Sequence, residues 1–126
     1  MKDKTKAFIF LSLAIAETLV LVWFSLQPSA AFVPSAGFLR SGDLEHLVAY
    51  VVYGFMWSAF FLTYKKRPGV AMTILLSLAI GSAIGALCET LQLFVPTRVA
   101  DPLDWAIDSL GSLCGAAAAV KARNLF

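Results

Sequence analysis

Asp43 and His46 stand three residues apart, with Tyr50 one helical turn further on, so a helix over this segment carries an acid, an imidazole and a phenol along one stripe. Glu89 and Gln92 repeat that spacing and are followed by Arg98, and Asp101, Asp104 and Asp108 recur at offsets that also share a helical face. Residues of these types support acid–base or nucleophilic chemistry at His46, carboxylates acting as a base or as ligands for a divalent cation, and binding of an anion at Arg98. The candidates for chemistry are therefore His46, Glu89, Asp104 and Asp108, and the candidates for ligand binding are Gln92, Arg98, Asp43, Tyr50 and Asp101. Acids outnumber bases among them, so a bare phosphate would be repelled unless a divalent cation intervened or some carboxyls were protonated. The metal, if there is one, is left open by the residue types.

The elements that must position these groups are apolar. Apolar residues make up 60% of the 126 residues and the mean hydropathy is +0.80, against about 45–50% apolar in a soluble domain. Residues 7–27, 44–64, 70–95 and 103–120 each form a run near the roughly 20 residues that a helix needs to cross hydrocarbon. Between them, residues 28–42, 65–69 and 96–102 are rich in proline, glycine and serine, which stop helices. The expectation is an all-α polytopic membrane bundle of four transmembrane helices, a single transmembrane domain over residues 1–126. A basic start followed by an apolar run also suits a secretory signal, with Ser29-Ala30-Ala31 as a loose cleavage site. The first run exceeds the roughly 7–15 residues of a signal core, however, and Glu17 interrupts it, so it reads as a retained helix.

Orientation follows from the basic residues of the short connections. Lys2, Lys4, Lys6, Lys65, Lys66, Arg67, Lys121 and Arg123 fall on one side and Arg40 and Arg98 on the other, which places both termini in the cytoplasm. The start of the second helix, the end of the third and the start of the fourth then share the extracytoplasmic interface. Acids at helix starts also act as caps, which suits Asp43, Glu45, Asp101 and Asp104. Capping does not suit Glu89, near a helix C-terminus where the dipole disfavours negative charge, or Asp108, about one turn into its helix. Ionisable groups within a membrane are costly unless they face a polar interior, so Glu89, Asp104 and Asp108 point to a functional site or a specific structural polar network. Glu17, at mid-span, is expected to bond to a neighbouring helix.

Ser77, Gly81 and Gly85 recur every four residues, as do Gly111, Gly115 and Ala119. Such stripes let backbones approach closely, and pairing of the third helix with the fourth along them is expected. Cys88 and Cys114 lie inside helices and read as small apolar residues, and one histidine without a close cysteine pair gives no thiolate metal spacing. A net charge of +2, with basic residues explained by topology, gives no support to nucleic-acid binding. Trp23, Phe24, Phe94 and Trp105 toward one interface, and Trp57, Phe60, Phe61 and Tyr64 toward the other, read as membrane anchors.

The segments Asp43-Leu-Glu-His46-Leu-Val-Ala-Tyr50 with Gly54, Glu89-Thr-Leu-Gln92-Leu-Phe-Val-Pro-Thr-Arg98, and Asp104-Trp-Ala-Ile-Asp108-Ser-Leu-Gly111-Ser-Leu-Cys-Gly115, in that order, resemble the signature of the VanZ-like family of small bacterial membrane proteins. Ser25-Leu-Gln-Pro28 fits the same pattern. The resemblance implies a multi-pass protein of the bacterial cytoplasmic membrane and, from the founding member, an association with low-level resistance to teicoplanin. It supplies no reaction. Asp108 departs from the pattern, which carries asparagine there, and adds a negative charge.

Three classes of function fit these residues. One is an enzyme acting on an envelope lipid or lipid-linked headgroup. It lacks the second histidine of common lipid phosphatases and any glycine-rich phosphate loop. Another is a binder or transporter of an amphiphile or ion, for which so short a chain would need a homo-oligomer to enclose a complete path. The third is a structural partner whose polar cluster fixes helix packing.

Overall fold

The computed structural model describes residues 2–28 and 41–126, with nothing described of the side chains of Lys2 and Ser41. Four helices follow one another: α1 (Lys2–Ser25), α2 (Ser41–Thr63), α3 (Val70–Gln92) and α4 (Pro102–Lys121), with a 3-10 turn at Arg123–Leu125. Residues 29–40, which include Arg40 and the Ser29-Ala30-Ala31 tripeptide, lie outside the described residues.

The helices follow the expected runs, and their ends differ for local reasons. α1 starts at Lys2 rather than at residue 7 because lysine favours helix as well as water, so apolarity marks only the part that suits hydrocarbon. α3 stops at Gln92, short of residue 95. Bonds from Leu93 N to Thr90 O, Phe94 N to Leu91 O and Val95 N to Gln92 O tighten the chain into turns as it approaches Pro96, which disfavours helix in the residue before it. α4 starts on Pro102, with Asp101 as its N-cap accepting from Leu103 N at 2.9 Å.

Three helices, α1, α2 and α3, are long and apolar enough to cross a membrane. α4 has 20 residues but carries two aspartates and a run of glycine, serine and alanine. Its polar and small face is buried against the other helices, at Asp108, Gly111, Ser112, Gly115, Ala116 and Ala119. The bundle is inverted relative to a soluble protein. Phe8, Leu19, Trp23, Leu75 and Leu110 are exposed, whereas Ser58, Thr73, Ser77, Asp108 and Ser112 are fully buried. Lipid is the solvent that fits this surface, and close packing with interhelical hydrogen bonds is what holds such helices together. One such bond is buried between Ser58 and Ser77, with the hydroxyl oxygens 2.7 Å apart. Another joins Thr18 to Tyr53 at 2.7 Å, so α1 reaches α2 through Thr18, the neighbour of the residue expected to do so, Glu17.

α4 fits between α2 and α3, and its most extensive contact is with α2. A Cβ built on Gly111 would stand 2.9 Å from the Leu47 carbonyl oxygen, and one on Gly115 would collide with the Val51 carbonyl. Gly54 on α2 answers them, since a Cβ there would strike the Ser112 backbone. From α3, Gly81 packs against Ser112, and Gly85 packs against Asp108 and Trp105. The expected pairing of α3 with α4 is present, but not glycine stripe against glycine stripe. The α3 stripe does meet α4, but the α4 glycines meet α2. Positions three apart on a helix are offset by about 60°, so Asp108 and Ser112 turn toward α3 while Gly111 and Gly115 turn toward α2.

The Lys6 ammonium donates to the Phe126 carbonyl oxygen, and the turn over residues 65–69 borders Asp3 and Lys4 on one side and Arg123 on the other. Both termini and this basic turn therefore share one end of the bundle, and the starts of α2 and α4 share the other with the end of α3.

Candidate functional site

That second end gathers the groups that the chain separates. His46 lies in the second turn of α2, Asp108 in the second turn of α4 and Glu89 in the last turn of α3, so three helices bring them to one depth. His46 Nδ1 and Asp108 Oδ1 are 2.8 Å apart. Asp108 is 0% exposed and Glu89 7%, while His46 is partly open. The approach depends on glycine. Gly111 lets α4 close on α2 beside Leu47, the neighbour of His46, and a Cβ on Gly85 would stand only 3.0 Å from Asp108 Oδ2.

Glu89 is the acid that capping could not explain, and its position has a direct cause. Its Oε2 accepts the Asp101 backbone N–H at 2.7 Å, so it serves the start of α4 rather than the end of its own helix. Its other oxygen, Oε1, and Asp108 Oδ2 are buried and have no hydrogen-bond partner among the described residues. His46, Glu89 and Asp108 each place one donor atom within 4.8 Å of the other two.

A cavity of about 340 Å³ opens beside this cluster. Leu21 and Phe24 of α1 give it an apolar wall, and His46, Gln92 and Arg98 give it a polar one. Arg98 Nη2 donates to the Phe24 carbonyl oxygen at 2.8 Å, which ties the segment after α3 to the end of α1, and its Nε is buried with no partner among the described residues.

A family model described as VanZ/LLP1 matches residues 3–123. The chain belongs to the VanZ/LLP1 family. No curated protein and no solved structure matches it. The family match runs through all four helices, so the whole cluster of this VanZ/LLP1 protein lies inside the family's region.

Of the residues singled out by spacing, His46, Glu89 and Asp108 converge, and Tyr50, Gln92 and Arg98 line the adjoining cavity. Asp104 lies in the first turn of α4 outside the three-residue cluster, and Asp101 is the α4 cap whose N–H also anchors Glu89. Asp43 is buried in the first turn of α2, outside both the cluster and the cavity wall. Asp108, the residue that departs from the resembled pattern, is the partner of His46.

Sequence reasoning missed Glu45, read as a cap but lining the cavity, and the whole contribution of α1. The Ser25-Leu-Gln-Pro28 motif was the available signal for α1, since Ser25 and Phe24 stand on the wall. Trp105, an exposed aromatic read as a membrane anchor, also donates from Nε1 to the Ser82 carbonyl oxygen at 3.0 Å and so ties α4 to α3.

Proposed function

We propose that this VanZ/LLP1 protein is a multi-pass protein of the bacterial cytoplasmic membrane that binds the headgroup of an envelope lipid or lipid-linked precursor at the extracytoplasmic end of its bundle. The observation that carries this reading is the make-up of one cavity, in which Leu21 and Phe24 face His46, Gln92 and Arg98. An amphiphile needs such a pairing, an apolar wall for its chain and convergent polar groups for its head. The gathering of Lys4, Lys65, Arg67 and Arg123 at the opposite end supports an extracytoplasmic site, because basic residues favour the cytoplasmic side.

Within this reading Arg98 counters the negative charge of the headgroup and Gln92 supplies neutral donors and acceptors. Asp108 fixes the His46 ring through Nδ1, which leaves Nε2 to exchange a proton or a hydrogen bond with the ligand. Low-level teicoplanin resistance, associated with the family's founding member, then follows from altered handling of an envelope precursor rather than from contact with the antibiotic.

The test is native mass spectrometry of the purified chain beside its His46→Ala and Asp108→Asn variants. A discrete lipid or polyprenyl species that accompanies the parent and is lost from folded variants is the expected result. Bulk phospholipid alone, unchanged by either substitution, would refute the headgroup site and leave the cluster as a packing device.

A further inference from the structure

The donor set at the end of the bundle is richer than a headgroup site needs. Asp108 Oδ1 is engaged by His46 and Glu89 Oε2 by the Asp101 N–H, yet Asp108 Oδ2 and Glu89 Oε1 are buried with no partner among the described residues. Both side chains are more than nine-tenths buried, at 0% and 7% exposed. A buried carboxylate oxygen with no donor has lost its hydration without replacement, and two such carboxylates side by side in a membrane also repel each other.

One occupant answers both problems. Two donor atoms each about 2.0–2.2 Å from a shared ion lie about 2.8–3.6 Å apart when the angle between them is near 90–110°. The contact of 2.8 Å between His46 Nδ1 and Asp108 Oδ1 falls at the short end of that range, and His46, Glu89 and Asp108 can each offer one donor atom within 4.8 Å of the others. A doubly charged cation cancels two carboxylates. One imidazole with two carboxylates and no thiolate suits zinc or a similar first-row divalent ion, whereas calcium takes six to eight oxygens.

We propose that His46, Glu89 and Asp108 hold one divalent transition-metal ion of the zinc class, and that its remaining coordination position takes an anionic oxygen of the headgroup. The inference rests on the reading of this end of the bundle as a headgroup site and gives it a ligand class, a phosphate-bearing head. Arg98 alone would not draw a phosphate past Glu89 and Asp108, but the ion reverses that repulsion. Loading replaces the hydrogen bond between His46 and Asp108 with two bonds to the ion and releases the shared proton to solvent.

The experiment uses the full chain carrying Cys114→Ser, because the exposed Cys114 thiol is a competing soft ligand. The protein is stripped with EDTA, dialysed and titrated with zinc chloride, and the same samples are read for metal by elemental mass spectrometry and for lipid by native mass spectrometry. One zinc per chain is expected, unchanged by Glu17→Gln, a carboxylate outside the cluster. Glu89→Gln, Asp108→Asn and His46→Ala should each weaken zinc by more than about 100-fold, the upper end of the loss from removing an outer-sphere partner. A stripped parent that takes up no stoichiometric zinc overturns the proposal, as does equal zinc in the three variants. Lipid retained after chelation with no zinc bound sinks the metal site alone. Stoichiometric zinc with no discrete lipid supports the metal site and refutes the headgroup reading.

Discussion

Gly111→Ala tests whether helix approach sets the site. The new Cβ would stand 2.9 Å from the Leu47 carbonyl oxygen, 3.0 Å from Tyr50 Cβ and 3.2 Å from Val51 N, whereas ordinary contact begins at 3.4 Å. Two of these neighbours are backbone atoms and cannot turn away, so α4 must retreat from α2 by about 0.5 Å, the shortfall at Leu47. Carried one turn along α4 to Asp108, that retreat stretches the 2.8 Å contact with His46 to about 3.3 Å, past the usual limit for N–H···O. Alanine also gains about 0.8–1.0 kcal/mol of helix propensity, which would mask part of the strain. Gly42→Ala is the control, since it stands in α2 with nothing within 4 Å of a built Cβ. The difference in unfolding free energy between the two variants should be about 1–3 kcal/mol, the cost of overpacking. Stability is read by reversible unfolding in mixed detergent. His46 is the only histidine of the chain, so the resonance of its Nδ1 is free of overlap from any other imidazole in the nitrogen NMR spectrum. Gly111→Ala should move that resonance toward its position in Asp108→Asn. If Gly111→Ala matches Gly42→Ala in stability and leaves the imidazole signal unchanged, glycine packing does not set the geometry between His46 and Asp108.

Two further outcomes follow from the packing and the topology. A double-mutant cycle of Ser58→Ala and Ser77→Ala should return a coupling of about 0.6 kcal/mol, and no more than about 1.7, typical of interhelical hydrogen bonds in membranes, and no coupling would show that their 2.7 Å contact does not bind α2 to α3. A cysteine at Arg98, with Cys114 replaced by serine, should react with an impermeant maleimide in intact cells, and one at Lys66 only after permeabilisation, with reversed labelling overturning the extracytoplasmic placement.

Much of the site was legible because helical spacing is a local property. Glu89 stood out on charge alone, as an acid at a helix end whose dipole opposes it, and the resolution lies in the Asp101 N–H of the next element. Spacing and residue type singled out Asp104 and Asp108 alike, both aspartates near the start of α4. One further turn along α4 puts Asp108 wholly inside and leaves Asp104 half-buried nearer the helix start. The residue types admitted a divalent cation, but which three residues converge was not legible, because His46, Glu89 and Asp108 come from three helices and no short motif joins them.

The sequence by itself determined the helices, the apolar character of three of them and the segregation of basic residues from the polar cluster, because hydropathy, helix breakers and charge counts act through the solvent and need no partner. It also determined which residues share a helical face, since that depends only on the 3.6-residue turn. Only the tertiary structure decided which helix each face meets. Gly111 and Gly115 faced α2 rather than α3, α1 supplied a wall of the cavity, and Asp108 rather than Asp104 reached His46. Those outcomes depend on how α4 is rotated between α2 and α3, and that rotation is set by close contacts summed over several helices at once.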